Sequence, residues 1–234
     1  MSISSLRTRA FSLIELVVVI SVLAIIAAFS VPAVTSLLQG SSLTQSSQLL
    51  VDQINLARQL ALSRNTIIEV RFYRYGDPDS PGEDVTNPTL GKFRAMQLFE
   101  IIPAGAGIPV GKIEEFPNSV MLSANRETPD SGISSLLDRG PIKVPADFAQ
   151  KDPYHISLPE LPKGIQRQYE FVSFRFMPDG STTLGATALW FITLHGINER
   201  QSTKGGQVGP PPNFFTLQID PVTGSTKMFR PTAL

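Results

Sequence analysis

The chain has 234 residues with 20 Lys plus Arg against 20 Asp plus Glu, so its net charge excludes general attraction to a polyanion such as nucleic acid. It contains no cysteine, which excludes disulfides and thiolate metal sites. Its 19 Pro and 17 Gly fall almost entirely after residue 75 and argue against a largely helical protein, while the length permits one folded domain plus an additional element.

An uncharged segment covers residues 16–34. A helix of this length, at about 1.5 Å per residue, covers roughly the hydrocarbon core of a bilayer. Arg7 and Arg9 precede it and no further Lys or Arg occurs before Arg58, so the positive-inside rule places the N-terminus in the cytoplasm. We predict a single-pass membrane protein whose C-terminal head faces outward. The alternative is an ordinary secretory signal peptide that is cleaved near residues 31–33.

Glu15 is unusual at the start of this apolar segment. A carboxylate costs about 2.5–3.5 kcal/mol at the centre of a spanning helix and less near its end, so it needs a partner. Cleavage between Ala10 and Phe11 would create an α-amino group four residues from Glu15. The amine of a neighbouring copy could equally pair with it. A carboxylate that is paired only in an assembly would set the register between subunits.

Residues 10–16, Ala-Phe-Ser-Leu-Ile-Glu-Leu, followed by the apolar segment, resemble the class III signal of type IV prepilins and type II secretion pseudopilins. The resemblance implies that residues 1–10 are a leader peptide, that a prepilin peptidase cuts after Ala10, and that the amine of Phe11 becomes methylated. It also makes Glu15 the glutamate five residues into the mature chain, where it sets assembly register. The chain departs from the family at Ala10, which is usually glycine.

The N-terminal helix is predicted to continue beyond the membrane. Pro32 lies where the family commonly has a proline, and a proline removes a backbone hydrogen bond and kinks a helix. The alternative is a membrane-helix proline that is merely tolerated. Apolar residues then recur at helical spacing at Leu50, Ile54, Ala57 and Ala61. This periodicity predicts a transmembrane or filament-core helix over residues 11–34 and an amphipathic continuation over 35–65 that ends near Asn65.

Residues 66–234 are predicted to form a β-rich head. Alternation over residues 68–73 indicates a half-buried strand. Further strands are predicted over residues 93–102, 169–177, 188–194, 214–219 and 225–229, with turns at 178–181 and 220–224 and loops over 76–92 and 196–213. Residues 103–165 show no clear pattern, although Leu136-Leu137 could form a short helix or a loop anchor. The fold class is therefore α+β: a long N-terminal helix followed by an antiparallel, pilin-like head.

Residues 174–181 (Phe-Arg-Phe-Met-Pro-Asp-Gly-Ser), with a later strand closed by Thr223-Gly224, are similar to the head of GspH/FimT-type minor pseudopilins. This resemblance implies a β-sandwich or two small sheets packed on the upper helix. The 103–165 segment has no counterpart that we can assign. A subfamily such as the pseudopilin-like proteins of verrucomicrobial secretion cassettes would accommodate it.

No constellation of residues predicts an enzyme, a cofactor or a metal site. His155 and His195 lack zinc spacing and are expected at the surface or on an edge strand. The acidic residues of the first loop lack the rest of an EF-hand pattern: Asp77, Asp79, Glu83 and Asp84. Trp190 lies in an apolar strand, which favours core packing over a binding platform.

The predicted function is structural: a minor pseudopilin that is processed by prepilin peptidase and joins a type II secretion-like pseudopilus. The expected partners are other pseudopilins, the prepilin peptidase, the inner membrane and secretion-platform proteins. One alternative is a minor type IV pilin for adhesion or DNA uptake, but Lys227 and Arg230 are too few to predict nucleic-acid binding. The other is a monomeric, membrane-anchored periplasmic binding domain.

Overall fold

The computed structural model describes residues 12–103, 107–124, 135–143, 168–197, 199, 202–204, 207–209 and 211–231. At 29–39, 142, 202–204 and 207–209 it describes the backbone alone. The chain divides into two compact units, residues 1–41 and 42–234.

Helix α1 extends from Leu13 to Arg64. Its C-terminus is closed by Asn65, whose φ of 52° lies in the left-handed region. The Thr66 N–H then donates to the Ala61 carbonyl at 3.3 Å, which satisfies one of the carbonyls left without a partner at the helix end. This is a Schellman-type cap with asparagine in the position usually taken by glycine. The predicted helix end near Asn65 is confirmed.

The described residues that follow α1 form strands, one short helix and one 3₁₀ turn. In chain order the strands are β1 (Ile67–Tyr75), β2 (Lys92–Ile101), β3 (Gly107–Glu115), β4 (Val120–Leu122), β5 (Ile142–Lys143), β6 (Tyr169–Phe176), β7 (Trp190–Gly196), β8 (Ser202–Lys204), β9 (Gln207–Gly209), β10 (Phe214–Ile219) and β11 (Thr226–Phe229). Helix α2 is Ser135–Arg139, and the 3₁₀ turn is Pro88–Leu90.

Among the described residues, nine strands form one antiparallel sheet in the order β11-β10-β7-β4-β2-β1-β6-β5, with β3 also paired to β2. The remaining two strands, β8 and β9, pair only with each other. Strand β2 therefore has two partners along one edge: β4 opposite Phe93, and β3 from Ala95 onward. A long N-terminal helix followed by an antiparallel head confirms the predicted α+β class.

One face of the sheet packs on the second half of α1. The predicted stripe on the helix is buried, with Leu50, Ile54, Ala57 and Ala61 all fully inaccessible. The sheet contributes alternate residues from its central strands to the same core cluster: Ile68, Val70, Phe72, Phe174, Phe176, Ile192 and Leu194. Helical and strand periodicities thus meet in one core, which confirms the amphipathic pattern read from residues 50–61.

The opposite face of β1 is also buried, so the prediction of a half-buried strand was wrong on that side. Tyr73 is fully inaccessible and belongs to a second cluster with Tyr75, Phe99, Tyr169 and Phe171. The alternating polar residues of β1 do not face solvent, because the charged ones are paired within the sheet. Glu69, only 1% exposed, is the clearest example.

Residues 103–165, which show no clear sequence pattern, contain β3, β4, α2 and β5 in their described parts. Strand β3 escaped detection because Gly107, Pro109 and Gly111 interrupt its alternation, and Gly111 has a φ of 80°. Leu136 and Leu137 are buried in α2, which confirms the short-helix reading. Two boundaries were wrong: β7 starts at Trp190 rather than at 188, and the predicted 196–213 loop contains the β8–β9 hairpin.

The burial of α1 under the sheet gives a direct stability prediction. Ile54→Ala should lower the free energy of unfolding by about 2–5 kcal/mol, because it removes a fully buried side chain and leaves a cavity. Leu56→Ala, two residues away and 41% exposed, should cost about 1 kcal/mol or less. The measurement is denaturant unfolding of the full chain in mild detergent. Equal losses in both variants would contradict this packing.

Candidate functional site

The first half of α1 carries an exposed apolar surface. Within the described side chains of residues 12–28, every large apolar residue is about half exposed or more, from 49% at Val19 to 80% at Leu13. Full burial of one such side chain stabilises a protein by about 1.5–3 kcal/mol. A contiguous apolar surface of this kind is typical of a site that contacts another protein or a membrane, because the surfaces of soluble proteins rarely carry one.

Two of the predicted site residues, Ala10 and Phe11, lie outside the described residues. The helical backbone continues through Pro32, whose side chain is not described. Cleavage, methylation and the proline kink therefore stay predictions. Among the described residues, no helix combines the length and the hydropathy that a membrane span requires.

Glu15 has a local partner that the sequence interpretation missed. Because α1 begins at Leu13, Ser12 is the N-cap residue and Glu15 is the third residue of the first turn. The backbone N–H of Ser12 donates to Glu15 Oε2 at 3.0 Å, and the N–H of Leu16 donates to the Ser12 carbonyl at 3.2 Å. This is the glutamate half of a capping box, which the spacing Ser-x-x-Glu could have indicated.

The capping contact is compatible with the predicted processing. The N–H of Ser12 belongs to the peptide bond between residues 11 and 12, downstream of the predicted cut. Cleavage after Ala10 would therefore leave this hydrogen bond in place. It would also add a positive charge one residue before Ser12. A negative side chain in the first turn is in addition favoured by the helix dipole, by about 0.3–1 kcal/mol when exposed.

The acidic loop after β1 does not converge on a metal ion. Arg94 occupies its centre: Nη1 donates to Asp77 at 2.9 Å, and Nη2 contacts both Glu83 oxygens at 2.7 and 2.8 Å. Asp84 is turned away and accepts from the N–H and the hydroxyl of Thr86 at 2.8 Å. Among the described residues, no group of three or more His, Asp or Glu could hold a metal ion. The buried guanidinium thus supplies the positive charge that anchors the loop.

His195 lies in the interior of the sheet, so its expected surface or edge position was wrong. It lies on β7, which pairs with β10 on one side and with β4 on the other. The side chain is 3% exposed, and its Nδ1 lies 2.8 Å from the Gly196 carbonyl. Burial lowers the pKa of His195, which favours the neutral ring. His155 lies outside the described residues.

A second charged group lies on the sheet face opposite α1. Glu69 accepts from Arg71 Nε and from Arg175 Nε, each at 2.7 Å. Arg71 also lies over an aromatic ring, with Cζ 3.9 Å from the centre of Phe99. Burial alone would raise the pKa of the Glu69 carboxyl, but Arg71, Arg175 and Lys143 outweigh that effect and hold the pKa below its usual value.

The N-terminus of the chain matches a known sequence family. A family model described as the prokaryotic N-terminal methylation motif matches residues 6–31. The match includes residues 10–16, so the predicted resemblance to type IV prepilins and pseudopilins is confirmed at this motif. By this criterion the chain is pilin-like at its N-terminus.

Particular solved structures also resemble the chain. Two structures of the minor pseudopilin EpsH from the type II secretion system of Vibrio cholerae each align with 82% of this chain. They share 8% and 10% sequence identity with it, 99% and 98% of their own chains are covered, and the TM-scores are 0.39 and 0.37. No curated protein sequence is significantly similar to this chain.

The Glu69 cluster predicts a pH-dependent stability. Glu69→Gln should lower the free energy of unfolding at about pH 7 by about 1–3 kcal/mol, because two arginines then face a neutral amide. The pKa of Glu69 is lower in the folded chain than its ordinary value of 4.5, so its stabilisation is present above that value and lost as the pH falls through the folded pKa. The gap between wild type and variant should therefore shrink as the pH falls below 4.5 and through the folded pKa.

Urea unfolding at a series of pH values measures this gap. Glu100→Gln is the matched control, because Glu100 forms an exposed pair with Arg64 at 2.8 Å and should cost about 1 kcal/mol or less. A deficit of Glu69→Gln that stays constant across the acid range would rule out the proposed charge pairing.

Proposed function

We propose that this protein is a minor pseudopilin, a structural subunit of a type II secretion-like pseudopilus. The single observation that carries the proposal is the exposed apolar helix surface of residues 13–26 in a chain with the N-terminal methylation motif. That surface is unfavourable in water and needs either lipid or other subunits around it. A subunit that moves from the membrane into a filament uses the same surface in both places.

The proposed maturation begins with removal of the leader, residues 1–10, by a prepilin peptidase. The new N-terminus at Phe11 is then methylated. Residues 11–34 form the membrane-spanning segment and later the filament core, with a kink at Pro32. Residues 35–65 continue the helix, and residues 66–234 form the periplasmic head. The N-terminus is cytoplasmic before cleavage, as the distribution of basic residues requires.

Assembly in this proposal is driven by apolar burial and guided by charge. Each large side chain of residues 13–26 that becomes covered contributes on the order of 1.5–3 kcal/mol. Such contacts are not directional, so they do not by themselves fix how far one helix slides along the next. The carboxylate of Glu15 supplies direction, because it retains acceptor capacity beyond the Ser12 bond and can pair with the amine of its own or a neighbouring Phe11.

The proposed role is mechanical rather than catalytic. The partners are other pseudopilins in the filament, the prepilin peptidase during maturation, and the secretion-platform proteins that add subunits from the membrane. A minor type IV pilin would share the same N-terminal motif and the same assembly physics. A monomeric anchored domain would not need a processed amine near Glu15.

Mass spectrometry of the mature N-terminus tests the proposal. We expect the purified membrane form to begin at Phe11 and to carry one methyl group on its α-amine. The Ala10→Gly variant, which restores the usual family residue, should mature at least as completely. A chain that retains Met1, or one that begins near residue 34, would overturn the proposal and support the anchored domain or the signal peptide.

Two variants of Glu15 separate its charge from its capping contact. Glutamine can still accept the Ser12 hydrogen bond but carries no charge, whereas alanine loses both. We expect Glu15→Gln and Glu15→Ala to insert normally into the membrane and both to reduce cross-linked filament by about tenfold or more, which corresponds to about 1.4 kcal/mol.

Cross-linking of cells that express each variant, followed by immunoblotting, measures the filament yield. Membrane fractionation of the same cells reports insertion. Normal assembly of Glu15→Gln beside impaired assembly of Glu15→Ala would show that helix capping matters and the charge does not.

A further inference from the structure

A cleft of about 440 Å³ opens at the edge of β6, between β5, α2 and the segment that leads into β7. All of its described lining belongs to the head unit, residues 42–234. Strand β5 covers only the start of this edge, because it is two residues long and follows Pro141, which has no N–H to donate to a ladder. Further along the same edge, the Thr183 N–H donates to the Arg175 carbonyl at 3.0 Å. The cleft is lined by residues 172–175 of β6.

One wall of the cleft is positively charged. Lys143 and Arg175 line it, and none of its described lining residues is acidic. Lys143 Nζ donates to Ser173 Oγ at 2.8 Å. Arg175 reaches Glu69 through Nε alone, so in the described part of the structure its two terminal nitrogens have no hydrogen bond.

Among the described residues, the charges in this region do not balance. Arg71, Lys143 and Arg175 lie around one described carboxylate, that of Glu69, so positive charge is in excess within this part of the structure. The side chain of Glu69 is 2% exposed and that of Arg175 is 40% exposed. Glu69 therefore contacts the buried side of the Arg175 guanidinium, and the exposed side of the guanidinium faces the cleft. A guanidinium that is fixed through Nε presents its remaining N–H groups as a preformed fork for a planar anion.

The other wall of the cleft is apolar. It includes Leu136, Leu184 and Trp190. The indole of Trp190 is fixed because its Nε1 donates to the Gly185 carbonyl at 2.8 Å. Core packing was the predicted role of this residue, and it does pack against the main core cluster, but part of its surface also lines the cleft.

We propose that this cleft binds a carboxylate carried next to an apolar side chain, as at the C-terminus or at an acidic residue of a peptide from a partner protein. Arg175 and Lys143 take the carboxylate, and the wall formed by Leu136, Leu184 and Trp190 takes the apolar group. An inorganic anion would use only the charged wall and would leave the apolar wall in contact with water. The inference concerns the head alone and does not depend on filament assembly.

The test uses the fluorescence of Trp190, the only tryptophan of the chain. The full chain in detergent is titrated with N-acetyl-leucine, with the peptide acetyl-Glu-Leu-amide, and with N-acetyl-leucinamide. A saturable change with at least one carboxylate and none with the uncharged amide is the expected result. The first two ligands distinguish a terminal from a side-chain carboxylate. Inorganic phosphate should bind at least about tenfold more weakly, because it lacks the apolar group.

Substitutions of the two basic residues test whether the fluorescence change arises from binding in the cleft. Lys143→Gln and Arg175→Gln should each weaken binding by about tenfold or more. Lys112→Gln, an exposed lysine on β3 outside the cleft, is the matched control and should bind as wild type does. Circular dichroism checks that Arg175→Gln folds, and Lys143→Gln provides an independent test because it leaves the pair between Arg175 and Glu69 in place.

Several results would overturn the inference. These are no saturable change with either carboxylate, an equal response to the amide, phosphate binding as tight as that of the carboxylates, and unchanged affinity in both Lys143→Gln and Arg175→Gln.

Discussion

The head depends on one packing constraint: the apolar stripe of α1 around Leu50, Ile54 and Ala57 must be covered by the sheet. These side chains are inaccessible, and the central strands place alternate residues over them. Since burial of each large side chain contributes about 1.5–3 kcal/mol, the helix and the sheet stabilise each other. The turns fix the sheet on this helix further, because Arg58 donates to the Thr223 carbonyl at 3.0 Å.

The first half of the same helix has the opposite property. The large apolar side chains of residues 13–26 are about half exposed or more, and the one acidic residue of its first turn accepts a hydrogen bond from its own N-cap. The observed capping role of Glu15 and its proposed role in assembly need not compete. Capping uses one oxygen of the carboxylate, while the charge remains for an amine that processing would create. Charge, rather than hydrogen-bonding capacity, is what an assembly could exploit.

Charged residues on the far face of the sheet show how a polar pattern can accompany burial. Glu69 and Arg71 lie on a strand with no exposed face, and aromatic rings beside them provide cation–π contacts. The same arrangement leaves Arg175 partly exposed at the β6 edge. In the acidic loop after β1, Arg94 supplies the positive charge, because its guanidinium pairs with Asp77 and Glu83.

Local periodicity, turn residues and charge encode several features, which the sequence by itself therefore determined. They are the N-terminal motif, the helix with its apolar stripe and its end near Asn65, and strands β1, β2, β6, β10 and β11. Tertiary structure decided what local pattern cannot express. Strand β3 exists because β2 offers it an edge, His195 is interior because β10 and β4 flank its strand, and the cleft at β6 joins residues 143, 175 and 190 through pairing between distant segments.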